Sequence, residues 1–534
     1  YNTTKLSETR NDSYNVTTQL IVNYAKKFAG KHDINLMAGY ENYYEYIEEL
    51  GADRDGYVLM NFPYLNNGPK DLIGNSGKGK EYAYRSYFGR VMYSYADRYL
   101  FQANIRHDGS SRFAKKHRWG TFPSFSAGWV LSEENFMKNL NWEWLSFLKI
   151  RATWGALGNE RIGDFPYMST IAFGNTIFYQ NNGIYFDQTA SQQKYAIENV
   201  TWEKTESTDI GLDISFLNNR LRVNGDYYWK NTKDMLLAMA IPDFLGFSDP
   251  DVNAGKMSTK GYELNVSWND HIGDFSYGIA INFSDFTSKM GDLQGTQFLG
   301  DKVKMEGSEF NEWYGYVSDG LFLTEEDLKN SPKINDKNTQ LGDIKYKDIS
   351  GPDGVPDGKI SPEYDRVLLG SSLPHFLYGG NINLGYKNFD LSLAFQGVGK
   401  QNARLAREMV ESFRNNYGNF PAIIDGNYWS PYNTDEQNAV AKYPRLTHVN
   451  KSSNYAMSDY WLFNGGYFRL KNITLGYTFP KEWMNAIGIK GARIYASASD
   501  LFCLSKYPKG WDPEMGVSEY PITTSILLGV SVNF

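Results

Sequence analysis

Thr208-Asp209-Ile210-Gly211-Leu212-Asp213-Ile214-Ser215-Phe216, then Leu217-Asn218-Asn219-Arg220, then Leu221-Arg222-Val223-Asn224-Gly225-Asp226-Tyr227-Tyr228-Trp229-Lys230 is the stretch on which the fold turns. Ile210, Leu212, Ile214 and Phe216 alternate with Asp209, Gly211, Asp213 and Ser215; Leu221, Val223, Tyr227 and Trp229 alternate with Arg222, Asn224, Asp226 and Lys230. A period of two is a strand with one oily and one polar face. The Asn218-Asn219 pair tolerates the positive φ of a tight hairpin turn. The same unit recurs in Phe275, Tyr277, Ile279, Ile281 and Phe283 against Ser276, Gly278, Ala280, Asn282 and Ser284, and in Tyr262, Leu264, Val266 and Trp268 against Glu263, Asn265 and Ser267.

The chain has 534 residues, too many for one compact core unless the architecture is a barrel, propeller or other large sheet. Its 40 Tyr and 32 Phe suit a large antiparallel β protein. No run of about eighteen apolar residues is present, which excludes a bundle of transmembrane helices but not a transmembrane barrel, whose strands show only alternation. Cys503 is the single cysteine, so no intramolecular disulfide can form. A net charge of -7 and the absence of a basic patch speak against a nucleic-acid partner. The sequence opens at Tyr1 without Met or a signal peptide, and reads as lacking an N-terminal part.

Strands are expected at 16–28, 34–46, 82–95, 99–106, 119–131, 148–157, 208–216, 221–230, 260–268, 275–287, 376–386, 390–398, 468–479, 492–502 and 522–534, roughly fifteen of the length that crosses a bilayer when tilted. An amphipathic helix is expected over 132–147, capped by Ser132 with Glu133 and Glu134 in its first turn. Polar loops are expected from 47 to about 80, over 158–207, from 288 to 375 and from 399 to 465. Short connections alternate with long ones, which puts tight turns on one edge of an up-and-down sheet and long loops on the other. Outer-membrane barrels have that asymmetry, with short periplasmic turns and long external loops. Alternation alone also fits a propeller or a row of β-sandwiches, but no blade repeat is visible and loops this long are uncommon in compact soluble β folds.

Several stretches resemble the SusC/RagA family of TonB-dependent outer-membrane transporters: Phe88-Gly89-Arg90 through Asp97-Arg98-Tyr99-Leu100 to Arg106-His107-Asp108-Gly109-Ser110-Ser111-Arg112-Phe113; Trp119-Gly120-Thr121-Phe122-Pro123-Ser124; Trp202-Glu203-Lys204-Thr205; Gly261-Tyr262-Glu263-Leu264; Phe395-Gln396-Gly397; Tyr443-Pro444-Arg445-Leu446; Tyr467-Phe468-Arg469-Leu470-Lys471-Asn472-Ile473-Thr474-Leu475-Gly476-Tyr477; and terminal Phe534. The resemblance covers nearly the whole chain. It implies an all-β transmembrane antiparallel β-barrel of about 22 strands in the outer membrane of a Gram-negative bacterium, of which residues 1–534 would be the C-terminal part. The plug, the N-terminal domains and the TonB-contacting segment are expected before Tyr1. It also implies active import of an oligosaccharide or peptide beneath a SusD-like surface lipoprotein acting as a lid, with no enzymatic step. The alternatives from other classes are a soluble carbohydrate-binding or adhesin protein and a passive porin.

No HExxH, GxSxG or paired-Cys pattern occurs, so no catalytic residue is assigned. Gly74 to Lys80 has phosphate-loop spacing but ends in Glu81 and is read as chance. Asp353-Gly354-Val355-Pro356-Asp357-Gly358-Lys359-Ile360-Ser361 resembles a calcium loop, and Asp348, Asp353 and Asp357 are candidate ligands for a structural Ca2+. Val355 stands where a third ligand belongs, and a Gly- and Asp-rich turn is the plain reading. For ligand contact the candidates are loop aromatics, whose flat rings supply area at little entropic cost: Trp313, Tyr314, Tyr417, Phe420, Tyr428, Trp429 and Tyr432. The same rings could instead anchor loops to one another, form an interface girdle or meet the lipoprotein.

Overall fold

The computed structural model describes residues 4–58, 61–180, 183–192, 194–239, 241–295, 299–414, 420–515 and 519–534. Among them, fifteen strands join in one antiparallel sheet in which each strand lies beside its predecessor in sequence. They are β1 (Leu6–Phe28), β2 (His32–Arg54), β3 (Ile73–Tyr95), β4 (Tyr99–Ser110), β5 (Trp119–Val130), β6 (Leu145–Asn159), β7 (Glu203–Phe216), β8 (Leu221–Lys233), β9 (Lys256–Ile272), β10 (Phe275–Met290), β11 (His375–Tyr386), β12 (Phe389–Lys400), β13 (Tyr467–Thr478), β14 (Gly491–Ser505) and β15 (Ser525–Asn533). All fifteen are the strands that alternation predicts. The β7–β8 turn holds Leu217, Asn218 and Asn219 at φ 51°, 58° and 64°, so the left-handed run begins one residue before the Asn pair.

The chain divides into two compact units. In the first (Tyr1–Glu134, Ile150–Asp209, Lys230–Lys256), Ile34, Leu36, Ala38 and Tyr40 of β2 stand opposite Tyr93, Val91, Gly89 and Tyr87 of β3. Those in turn oppose Phe101, Ala103, Ile105 and His107 of β4. Register keeps like faces together, because a slip of one residue would turn the apolar set over. Near the short turn between β3 and β4, the rings of Tyr95, Tyr99 and Trp129 stack in a row. Phe113, Phe122, Val200 and Trp202 form a small core under the loops.

In the second unit (Asn135–Lys149, Ile210–Trp229, Met257–Phe534) the apolar rows run unbroken across five strands. Val266, Ile281, Gly380, Phe395 and Leu470 share one row, and Trp268, Ile279, Ile382, Leu393 and Ile473 the next. The opposite face carries Asn265, Ser267, Asn282, Asn381, Ser392, Asn472 and Thr474. At the short-turn ends Phe275, Tyr386, Phe389 and Tyr477 are consecutive partners, forming an aromatic belt.

Five expectations are corrected, the last of them on the two longest connections. The helix over 132–147 is only a 3-10 turn, Leu131–Glu133, and a short helix, Asn135–Asn139. Glu134 turns back to accept from Tyr99 (2.6 Å) and Trp129 (3.0 Å), and Asn141 at φ 49° ends the helix before Trp142 and Trp144 stack. The polar stretch 47–80 is strand at both ends: β2 continues to Arg54 and β3 starts at Ile73, joined by the Lys78–Glu49 ion pair. Gly74 to Lys80 is therefore part of a strand, as the chance reading of its spacing requires. The loop 158–207 contains a two-stranded hairpin, Ile171–Gln180 with Gly183–Gln192. The last strand starts at Ser525, after a loop, and not at Ile522.

The connections 291–374 and 401–466 are not open loops. Tyr316, Leu321, Ile344, Tyr346, Ile360, Val410, Ile424, Tyr455 and Trp461 bury one another in a shared core, with Trp429 and Tyr443 packed against it. Burial raises the hydroxyl pKa of Tyr346, Tyr455 and Tyr460.

Candidate ligand-binding site

Asp343 organises this loop substructure. Fully buried, it accepts from Arg445 Nε (2.8 Å) and Nη2 (3.2 Å), Asn450 Nδ2 (2.8 Å), Asn454 Nδ2 (2.9 Å) and the Gln340 backbone N–H (2.9 Å). A buried carboxylate survives only when paired and hydrogen-bonded, and here both oxygens are saturated. Asn454 passes the network on by accepting the Ile344 N–H at 2.9 Å. Segments more than a hundred residues apart in sequence are thereby fixed around one charge.

The turn 427–433 hangs on that frame. Asn427 O accepts the N–H groups of Lys442 and Tyr443, and the Trp429 N–H donates to Tyr443 O at 3.0 Å. Asn438 closes the turn from the other side, accepting the Ser430 N–H (3.1 Å) and donating to Ser430 O (3.0 Å). It follows the Thr434/Gln437 capping box of the helix Asp435–Ala439. The Trp429 indole lies over Gly342, where a Cβ would come within 2.3 Å of the ring and where φ is +81°. Only glycine fits both conditions.

Tyr428, Trp429 and Tyr432 therefore line one cavity of about 710 Å³, together with Glu325, Leu328, Gln340, Ser430, Pro431, Arg445 and Leu446. Tyr432 is 96% exposed, and Phe420 meets Tyr428 edge to face at 6.1 Å. Across the helix Glu325–Asn330 lies a second cavity of about 390 Å³, walled by Asp319, Asp327, Lys345, Asn438 and Tyr460. Desolvation pulls the Lys345 pKa down, but the hydrogen bonds and charges of Asp319 and Asp327 outweigh it and hold the ammonium above its ordinary value.

The other candidates lie elsewhere. Trp313 and Tyr314 sit in the small sheet Lys302–Val303, Glu312–Tyr316 and Arg366–Gly370, where Lys302 covers the Trp313 ring and Arg366 the Tyr314 ring. Trp313 Nε1 also donates to Asn402 O, so these two rings are spent on packing. Tyr417 lies outside the described residues. Asp348, Asp353 and Asp357 do not converge, and among the described residues no group of three His, Cys, Asp or Glu side chains is placed to hold a metal. The loop is closed by other means: Asp348 accepts the Gly358 N–H (2.6 Å), Asp357 the Lys359 N–H (3.0 Å), and buried Asp365 the N–H groups of Ile349, Ser350 and Ser361. One oxygen, Asp348 Oδ1, is left buried without a partner. A single orphan oxygen does not make a calcium site, which takes six to eight.

Sequence reasoning missed Glu325, Gln340 and Arg445 as cavity residues. Arg445 stands inside the Tyr443-Pro444-Arg445-Leu446 motif, the only local signal any of the three carried.

Comparison with known proteins identifies the frame. The TonB dependent receptor-like β-barrel family matches residues 1–501. The TonB-dependent receptor SusC of Bacteroides thetaiotaomicron is 31% identical over 98% of this chain and 50% of its own length. A TonB-dependent receptor of Formosa agariphila is 31% identical over 94% of this chain and 49% of its own. The structure of the RagAB peptide transporter aligns with a TM-score of 0.82 at 22% identity, over 99% of this chain and 56% of that one. The chain thus spans about half the length of the relatives it matches. With its alternating strands, aromatic belt and long folded loops, it belongs to the outer-membrane β-barrel family of TonB-dependent receptors, and within it to the SusC/RagA type.

Proposed function

We propose that the chain is the barrel portion of an energy-coupled importer that carries an oligosaccharide or peptide across the outer membrane beneath a SusD-like surface lipoprotein. TonB would be engaged by a part of the protein that precedes Tyr1. The chain would act as a channel, with no catalytic residue. The observation that supports a lid most directly is the hairpin 171–192. Its register puts Ile171, Phe173, Ile177, Tyr179, Ile184 and Phe186 on one face, each 60% exposed or more, and Asp187 is its one charged residue. Six such side chains offer on the order of 600–900 Å², close to the roughly 800 Å² that one partner contributes to a standard interface. Lipid is a poor cover, because an isolated hairpin has two bare backbone edges that hydrocarbon cannot satisfy. A protein can cover both. The family match sets aside the soluble adhesin that alternation alone left open.

The test uses the full-length protein in cells. Uptake that stops when TonB is removed marks an energised importer, whereas TonB-independent uptake marks a passive porin. Phe173→Asp with Phe186→Asp should abolish co-purification of the lipoprotein while heat-modifiable gel migration stays normal; undiminished co-purification removes the hairpin from the interface.

A further inference from the structure

We propose that the cavity beside the helix Glu325–Asn330 binds a neutral oligosaccharide, in preference to acidic glycans and to peptides; this rests on the import reading and narrows its substrate class. Shape comes first. At about 710 Å³ the cavity falls within the roughly 300–1,000 Å³ of small-molecule sites, large enough for more than one sugar ring. A second cavity of about 390 Å³ lies next to it, where Ser430 in the wall of the first is hydrogen-bonded to Asn438 in the wall of the second.

The walls decide the chemistry. Tyr428 and Tyr432 present flat apolar faces flanked by Pro431, and Tyr432 is almost fully exposed without being needed for the fold. A pyranose offers an apolar C–H face to such a ring and hydroxyls at its rim. Polar groups at the rim are the Gln340 amide, the Ser430 hydroxyl and the Glu325 carboxylate. Arg445 commits Nε and Nη2 to Asp343, and Nη2 also to Asn338 O, so that its charge is balanced by the buried carboxylate. Glu325 is then the uncompensated charge of the wall. An anionic sugar would meet a like charge at close range, whereas a neutral one meets an acceptor.

A peptide finds less here. Extended peptides are held mainly by backbone hydrogen bonds to an open strand edge. The larger cavity is lined by one short helix and by turns, and the β pairing among its described lining residues is the isolated parallel bridge Tyr428–Tyr443, too short to template a peptide strand.

The full-length transporter, purified in detergent, tests this by calorimetric titration with neutral glucan, mannan and xylan hexasaccharides, a polyuronate hexasaccharide, a sulfated hexasaccharide and a mixed heptapeptide pool. A neutral hexasaccharide should bind, and Tyr432→Ala should weaken it about three- to tenfold, the range set by one aromatic stacking contact. Glu325→Gln should raise the affinity for the acidic glycans relative to that for the neutral ones, and an unchanged ratio would overturn the selection against acidic sugars. Peptide binding that Tyr432→Ala weakens, or acidic-glycan binding tighter than neutral, would overturn the assigned class. No binding by any probe, or binding indifferent to Tyr432, would overturn the cavity as a site. TonB-dependent uptake, scored separately in cells, decides the import reading whichever way the titration falls.

Discussion

Ile281→Arg measures which face of the sheet meets lipid. Ile281 is six residues from Phe275, which sits in the aromatic belt beside the short turn. At about 3.3 Å per residue and a tilt of about 40°, it lies roughly 15 Å above that belt, near the middle of an apolar band about 25 Å tall. Its neighbours in register are Val266 and Gly380, and it is 46% exposed with Phe283 and Ile279 above and below. An Arg at that depth on the lipid face costs about 2–4 kcal/mol. Asn282 is one residue further on and points the other way, so Asn282→Arg at nearly the same depth should change stability by no more than about 0.5 kcal/mol. Urea titration of the full-length protein folded into phosphatidylcholine vesicles, read by heat-modifiable migration, compares both variants with Ile281→Leu. Equal cost at positions 281 and 282 would refute the orientation, and a larger cost at 282 would reverse it.

Arg445→Met strands the buried Asp343 charge and should cost the loop substructure about 3–5 kcal/mol; near-UV circular dichroism should lose its aromatic signal at lower temperature while the far-UV strand signal persists. Gly342→Ala forces a side chain into φ +81° against the Trp429 ring, and should cost about 1–3 kcal/mol and expose the turn 427–433 to protease. The Lys345 pKa is raised on folding, so its ion pairs with Asp319 and Asp327 contribute fully below the ordinary lysine value of 10.5 and are lost as pH climbs through the higher folded value. The difference in melting temperature between wild type and Lys345→Met should therefore be flat from about pH 6 to 9 and shrink only above about 10.5. Dialysis against EDTA should leave the melting profile unchanged; a drop restored by Ca2+ would show that Asp348, Asp353 and Asp357 do converge on an ion.

The strands were legible because lipid and lumen impose opposite demands on alternate residues, as in Phe275 to Ser284, and that contrast survives in the sequence alone. Where the contrast is missing, reading failed. Ile47 to Arg54 and Ile73 to Lys80 lack the alternation, yet they pair in register through contacts such as the Lys78–Glu49 ion pair, which no local pattern announces. The helix expected over 132–147 rested on Glu133 and Glu134 as first-turn acids, whereas Glu134 is drawn away by Tyr99 and Trp129. At the candidate site, the aromatics Tyr428, Trp429 and Tyr432 announced themselves by type. Their polar companions did not, because Gln340 and Arg445 reach the cavity through Asp343, and Arg445 is 102 residues from that partner.

The two halves of this architecture draw their order from different solvents. The wall strands are fixed by an apolar face that needs hydrocarbon, as the rows through Ile281 and Ile279 show. The loops 291–374 and 401–466 are fixed in water, by their own core around Trp461 and by the saturated Asp343. A cavity resting on such a frame is already shaped before a ligand arrives, since Trp429 is seated on Gly342 and the turn 427–433 is bonded at both ends. A ligand bound there as proposed would find Trp429 and the turn already ordered, and the ordering cost would fall mainly on the exposed Tyr432 ring. The hairpin of Ile171–Gln180 with Gly183–Gln192 has no such frame: among the described residues it is a two-strand sheet with no third partner strand, marginally stable by itself, and the lid proposed above would order it by covering its edges.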